Sequence, residues 1–100
     1  MAKKQIQRSS GNVFRDLGSS PEEAENLRVR ADLMIELSRL IEERGLTQVD
    51  AARLFGVSQP RVSDLMRGKI DRFSVDTLIA MLGAAGVQVQ VTTKRGARVA

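Results

Sequence analysis

One stretch in the middle of the chain decides the fold: Gln48-Val49-Asp50-Ala51-Ala52-Arg53-Leu54-Phe55-Gly56-Val57-Ser58-Gln59-Pro60-Arg61-Val62-Ser63-Asp64-Leu65-Met66-Arg67. Ala52, in the fifth place, is small enough for two helices to cross closely. Gly56, in the ninth place, can adopt the positive φ of a tight turn. Apolar residues fill the eighth, tenth, fifteenth and eighteenth places, namely Phe55, Val57, Val62 and Leu65. This spacing predicts two short helices joined by a tight turn, a helix-turn-helix.

The face of the second helix that this packing leaves exposed carries hydrogen-bonding side chains. Five residues remain on it after the core positions are taken: Gln59, Arg61, Ser63, Asp64 and Arg67. Gln can read adenine and Arg can read guanine through paired hydrogen bonds. The alternative is an ordinary helix pair of a bundle, which would carry a solvent-facing mix of Lys and Glu instead. The exposed residues therefore predict a DNA-reading helix.

The positions divide the predicted DNA contacts into base readout and phosphate binding. We expect bases to be read by Gln59, Arg61 and Ser63, and phosphates to be bound by Gln48, Ser58, Arg67 and Lys69. Gln48 begins the first helix of the pair, and the N-terminal amides of a helix favour a phosphate. Asp64 has two interpretations: it accepts from a cytosine amino group, or it pairs with Arg61 or Arg67.

Cap residues predict the remaining helices. Ser20 and Pro21 favour a helix that runs to Arg44 and stops at Gly45. That span would be ~36 Å long at about 1.5 Å per residue, so a break near residues 28–31 is the alternative. Three further helices are expected after Thr47, Ser58 and Ser74, ending at Gly56, Gly68 and Gly86.

The pattern changes after the last predicted helix. Val87-Gln88-Val89-Gln90-Val91-Thr92 alternates strictly between apolar and polar residues, which predicts a half-buried strand at residues 87–93. A lone strand leaves its ladder groups unpaired. We therefore expect Val87, Val89 and Val91 to pair with a second copy of the chain across a twofold axis. An exposed helix face is the alternative dimer interface.

Composition and charge exclude several classes of protein. The chain has 100 residues, a net charge of +4 and neither Cys nor His. These absences exclude a disulfide framework, a zinc finger, a thiol nucleophile and a His-ligated metal. A basic net charge fits a nucleic-acid partner. Neither a secretory leader nor an apolar run of membrane-spanning length is found, so we expect an intracellular protein.

A family resemblance covers residues 31–82. The run from Gly45 to Leu65 resembles the λ-repressor/Cro-type (XRE family) helix-turn-helix domain. The resemblance implies that Gln48 touches phosphate and supports Gln59, which reads a base.

A second resemblance covers more of the chain. The stretches Asn12-Val13-Phe14-Arg15-Asp16-Leu17-Gly18, Ser58-Gln59-Pro60-Arg61-Val62-Ser63, Arg67-Gly68-Lys69-Ile70 and Arg72-Phe73-Ser74 resemble small bacterial HigA-like antitoxins. This resemblance implies a dimeric repressor that also neutralises a RelE/HigB-like mRNA-cleaving toxin encoded in the same operon. The apolar residues Val13, Phe14 and Leu17 are the candidate toxin contact. They could equally pack on their own domain.

Together these features predict an all-α, λ-repressor-like DNA-binding domain with one C-terminal strand used in dimerisation. The expected parts are a flexible segment at 1–19, the helix-turn-helix domain at 20–86, the strand at 87–93 and a basic tail at 94–100. The expected function is a non-enzymatic repressor of the bacterial cytoplasm and nucleoid that binds a palindromic operator on double-stranded DNA as a homodimer. As the resemblance to HigA-like antitoxins implies, it would also be the antitoxin of a toxin–antitoxin operon. A stand-alone or phage-type regulator is the main alternative, and a carboxylate-based nuclease is the remote one. We expect no cofactor, metal, small-molecule ligand or membrane partner.

Overall fold

The computed structural model describes residues 20–95, which form four α-helices and one short 3-10 turn. In chain order these are α1 (Pro21–Arg44), α2 (Gln48–Phe55), α3 (Gln59–Met66), the 3-10 turn (Ile70–Arg72) and α4 (Val75–Ala84). α1 packs along α4 and reaches the 3-10 turn and α3, while α2 packs against both α3 and α4. No helix in this part of the chain is both long and apolar enough to cross a membrane.

Each α-helix begins at the predicted cap. The hydroxyls of Ser20, Thr47, Ser58 and Ser74 accept hydrogen bonds from the backbone N–H groups of Glu23, Asp50, Arg61 and Thr77, at 3.1, 3.0, 3.3 and 3.1 Å. These bonds satisfy N–H groups that have no partner within the helix, and each is worth about 1 kcal/mol. The caps therefore fix where the helices start and how they are joined.

α1 is one continuous helix of 24 residues, so the break considered near residues 28–31 does not occur. Ion pairs on neighbouring turns span this region: Arg28 contacts Glu25 at 2.5 Å and Asp32 at 3.1 Å. The hydrogen bond to Glu25 raises the pKa of Arg28, with the charge of Asp32 adding to the effect. Such pairs three and four residues apart support a helix where its interior carries no Gly or Pro.

One apolar core joins the four helices. Its large buried members are Met34, Leu37, Ile41, Phe55, Val62, Leu65, Phe73, Leu78, Met81 and Leu82. Residues 34, 37 and 41 recur at helical spacing, so α1 presents one face to the others. This packing holds α3 with its opposite face towards solvent.

The prediction of a C-terminal strand at residues 87–93 is wrong: the structure forms no strand there. Residues 87–95 have no regular secondary structure, and the last backbone hydrogen bond runs from Val87 N–H to Leu82 C=O at 2.9 Å. The described helices offer no strand edge with which a ladder could form. Val87 and Val89 instead pack on the helical core, whereas Val91 is 75% exposed. Packing of alternate valines on helices accounts for the alternating pattern.

Candidate nucleic-acid interface

The turn between α2 and α3 has the geometry predicted from its sequence. Gly56 lies in the left-handed region at φ 72° and ψ 33°, and Val57 N–H donates to Ala52 C=O at 3.0 Å. The predicted core residues Ala52, Phe55, Val62 and Leu65 are buried, and Val57 packs against the same cluster. The sequence thus folds locally into the expected helix-turn-helix.

The N-terminal end of α3 projects polar groups into solvent. Ser58 and Gln59 are exposed, and Ser63, one turn further on, is half-buried. The Gln59 side chain makes no hydrogen bond to any residue between 20 and 95, so both its amide donors and its carbonyl remain available. The Ser58 hydroxyl oxygen accepts from Arg61 N–H, which leaves its own O–H free to donate.

Arg61 is held against the 3-10 turn rather than extended from α3. Its Nη1 donates to the carbonyl of Arg72 at 2.8 Å, and its guanidinium carbon lies 5.5 Å from the centroid of the Phe73 ring. This distance is within the range of a cation–π contact. A guanidinium has five N–H donors, so the bond to Arg72 leaves others for DNA. Base reading by Arg61 stays a prediction.

Asp64 was predicted on the exposed face of α3 but is buried, because it connects α3 to two arginines. It is 9% exposed, its Oδ2 lies 3.3 Å from Arg72 Nη1, and its Oδ1 lies 3.7 Å from Arg67 Nη2. Of its two interpretations, the structure shows pairing with an arginine, and Arg67 is one of the two partners expected. Arg72 was not anticipated, because it lies on a different element from Asp64. The carboxylate therefore holds two cations at the C-terminal end of α3.

Gln48 lies at the first position of α2. Its Nε2 is 4.0 Å from Sδ of Met66, at the far end of α3. No hydrogen bond joins Gln48 to Gln59 among the described residues, and the support for Gln59 that the resemblance implies stays a prediction. Phosphate binding by Gln48 depends only on its place at a helix N-terminus and stays a prediction.

The chain leaves α3 through a second left-handed glycine. Gly68 has φ 71°, and Arg67 is exposed while Lys69 is half-buried on either side of it. A further arginine braces this region: Arg30 of α1 donates to the carbonyls of Ile70 and Phe73 at 3.0 and 3.3 Å. The sequence gives no local signal for this contact, because about 40 residues separate the partners. The 3-10 turn is thus fixed beside the end of α3.

Two exposed acidic pairs, the kind of group that a carboxylate-based nuclease would use, lie at opposite ends of α1, about 30 Å apart at about 1.5 Å per residue. Glu22 and Glu23 are exposed in the first turn of α1, and Glu42 and Glu43 are exposed near its other end. Within residues 20–95 no three His, Cys, Asp or Glu side chains cluster closely enough to hold a metal ion.

Comparisons with known proteins agree with this geometry. Residues 13–94 match the model of a family described as a helix-turn-helix domain. One similar solved structure is a protein assigned by its name to the XRE family of transcriptional regulators. It is 31% identical, has a TM-score of 0.70, and the alignment covers 78% of this chain and 90% of that chain. No curated protein matches the chain. The chain therefore belongs to the helix-turn-helix family, and its fold is of the XRE type.

Proposed function

We propose that this protein is a sequence-specific DNA-binding transcriptional repressor. One observation carries the proposal: the polar face of α3 is left exposed by a helix-turn-helix whose opposite face is buried in the core. The name of the similar structure, an XRE family transcriptional regulator, supports the same function. The net charge of +4 favours attraction to the DNA backbone.

The proposed complex places α3 in the major groove. Gln59, Arg61 and Ser63 read base edges from the first turns of the helix, as the N-terminal part of a recognition helix does. Phosphates are bound around them by Gln48, Ser58, Arg67 and Lys69. Arg72, which shares Asp64 with Arg67, joins this phosphate-binding set. Base contacts give specificity, and phosphate contacts give position and salt sensitivity.

DNA from immediately upstream of the gene tests this function. We expect the purified protein to bind that DNA more tightly than scrambled DNA of the same composition, and the affinity to fall as salt is raised. Equal, weak and salt-sensitive binding to both would leave only nonspecific charge attraction and would contradict the repressor.

We propose that the active form is a homodimer. Two recognition helices about 34 Å apart would read two half-sites one DNA turn apart. The C-terminal segment supports this assembly because its backbone, from Gln88 to Arg95, makes no hydrogen bond to the rest of residues 20–95. Val91 is 75% exposed on the same segment.

A single added charge tests the C-terminal segment as the dimer interface. Val91→Asp should shift the protein towards monomer, because a carboxylate buried between two copies would lose its hydration. Sedimentation velocity over a range of concentrations measures the change. Val49→Asp on α2 is the control, since Val49 is 45% exposed and the substitution is the same. A dimer that survives Val91→Asp would assign the interface to a helix face instead. A wild-type protein that is monomeric at every concentration would contradict the homodimer itself.

An antitoxin role is the second function we propose, and the acidic start of α1 favours it. Glu22 and Glu23 are exposed there, and they suit a basic RelE/HigB-like ribonuclease. The other candidate contact, Val13, Phe14 and Leu17, lies outside the described residues. The resemblance to HigA-like antitoxins supports the pairing, and a stand-alone regulator without a toxin is the alternative.

A charge reversal at one end of α1 tests the toxin contact. Changing Glu22 and Glu23 to Lys should weaken capture of a toxin encoded beside this gene, because like charges would then face each other. The same change at Glu42 and Glu43, an exposed adjacent pair on the same helix, is the control. Equal toxin capture by both double variants would show that Glu22 and Glu23 do not contact the toxin. If the wild type captures no toxin, the stand-alone regulator is favoured.

A further inference from the structure

Two arginines from different helices hold the backbone carbonyls of the 3-10 turn. Nη1 of Arg30, on α1, donates to the carbonyls of Ile70 and Phe73 at 3.0 and 3.3 Å. Nη1 of Arg61, on α3, donates to the carbonyl of Arg72 at 2.8 Å. No backbone N–H of residues 20–95 donates to the carbonyl of Arg72 or of Phe73. The two arginine side chains therefore supply the partners that these backbone acceptors require.

The Arg30 guanidinium is held on both of its sides. Its Nε donates to Oδ1 of Asn26, one turn earlier on α1, at 2.7 Å, while Nη1 faces the 3-10 turn. Arg30 is half-buried and Asn26 is exposed. Because a guanidinium is planar and its donors are fixed relative to one another, these bonds restrict its orientation. Arg30 therefore ties the turn to α1, a continuous helix of 24 residues.

The part of the turn that Arg30 holds is the part that holds Arg61. The carbonyls bonded to Arg30 belong to residues 70 and 73, on either side of the acceptor at Arg72. The ring of Phe73 lies 5.5 Å from the guanidinium carbon of Arg61. A shift of the turn would thus move both the acceptor and the aromatic ring that Arg61 contacts. The direction of Arg61 depends on Arg30, although the two residues lie on different helices.

We propose that Arg30 is a positioning residue for base reading by Arg61, an inference that rests on the proposed DNA-binding function. Arg30 itself does not touch DNA in this role. It fixes the 3-10 turn, so that the Arg61 guanidinium is already oriented before DNA binds. A side chain ordered in the free protein loses less conformational freedom on binding. The specificity of α3 is therefore set partly from α1.

The free protein gives the first test, which needs no DNA. In Arg30→Met, the Nε–H group of Arg61 should show a lower heteronuclear NOE by NMR, because the side chain moves more freely. Arg28→Met is the matched control: it removes the same charge from a half-buried arginine of α1, whose ion pairs to Glu25 and Asp32 stay within that helix. It should leave the Arg61 signal unchanged. Circular dichroism checks that both variants keep their helices.

DNA binding gives the second test, as a double-mutant cycle of Arg30→Met and Arg61→Ala. The quantity measured is the ratio of the affinity for upstream DNA to the affinity for scrambled DNA. Arg30→Met should lower this ratio several-fold in the wild-type background and change it little once Arg61 is alanine, because the effect passes through Arg61. A loss of folded protein or of one positive charge lowers both affinities alike and leaves the ratio constant.

Three results would overturn the proposal. An Arg61 NOE that Arg30→Met leaves unchanged would show that Arg30 does not hold Arg61. A ratio that Arg61→Ala leaves unchanged would show that Arg61 reads no base. Equal effects of Arg30→Met with and without Arg61 would show that Arg30 acts by another route.

Failure of the proposed function is distinguishable from these results. A wild type that binds both DNAs equally would contradict the sequence-specific repressor, and base reading with it, while the NOE still decides whether Arg30 holds Arg61. Should Arg30→Met fail to fold, Asn26→Ala removes only the acceptor of the Arg30 Nε–H group from an exposed position. It should lower the NOE and the ratio in the same direction by a smaller amount, and no change in either would overturn the proposal.

Discussion

Replacing Gln59 by alanine should abolish the preference of the protein for its operator over scrambled DNA. Gln59 is exposed at the first position of α3, and its side chain is not used within the described fold. A paired hydrogen bond to a base is worth about 1–3 kcal/mol of discrimination, and a dimer would lose it at both half-sites. Binding curves for both DNAs, measured at several salt concentrations, give the ratio of the affinity for the operator to the affinity for scrambled DNA.

Gln48→Ala is the matched control for this prediction. The same side chain is removed from the N-terminus of α2, where we expect it to bind phosphate. A phosphate contact weakens all sequences alike, so affinity for both DNAs should fall together while their ratio stays constant. Gln59→Ala should change the ratio and leave thermal stability near that of the wild type. If the two variants behave alike, Gln59 does not read a base.

The four helices could be predicted from the sequence because each of their signals is local. A capping hydroxyl and the backbone N–H that it accepts lie three residues apart, as at Thr47 and Asp50. The turn at Gly56 likewise depends on a property of one residue, its tolerance of positive φ. Such local preferences predict the structure well here, because the tertiary packing on the buried face of each helix favours the same helices.

The C-terminal segment could not be predicted in the same way, because a strand is defined by its partner. The alternation from Val87 to Val91 says which side chains are apolar, not what they pack against. Val87 and Val89 are half-buried against the described helices, and the backbone of the segment forms no ladder. A pattern with a period of two therefore predicts alternating burial here but not a β-strand.

Residue types and the helix period predicted which side chains of the candidate site are exposed, but not the contacts that those side chains make. Exposure of Gln59 and Ser58 follows from the helix period. The attachments of Arg61 to Arg72 and of Asp64 to Arg72 cross from α3 to the 3-10 turn, an element with no signal in the sequence. Arg61 and Arg72, which belong to the basic face formed by α3 and the 3-10 turn, are thus positioned by tertiary contacts that the sequence does not indicate.

Asp64→Asn should weaken DNA binding, although it removes a negative charge from a basic face. In the free protein the buried carboxylate holds Arg72 at 3.3 Å and Arg67 at 3.7 Å. Asparagine keeps the shape but loses the charge, so both arginines gain freedom that DNA binding must then remove. We expect several-fold weaker binding to operator and scrambled DNA alike, measured at one salt concentration. The loss of folding stability should be about 1 kcal/mol, because both arginines are more than half exposed to solvent.

The sign of the effect separates positioning from simple electrostatics. Asp71→Asn removes the same charge from an exposed residue of the 3-10 turn, next to Arg72. If total charge alone governs binding, both substitutions should tighten it, because each removes repulsion from the phosphates. If Asp64 positions the arginines, Asp71→Asn should tighten or preserve binding while Asp64→Asn weakens it. Tighter binding by both variants would contradict the positioning role. If the two substitutions change DNA affinity in opposite directions while both variants keep their helical content, the buried carboxylate of Asp64 strengthens DNA binding by positioning the arginines.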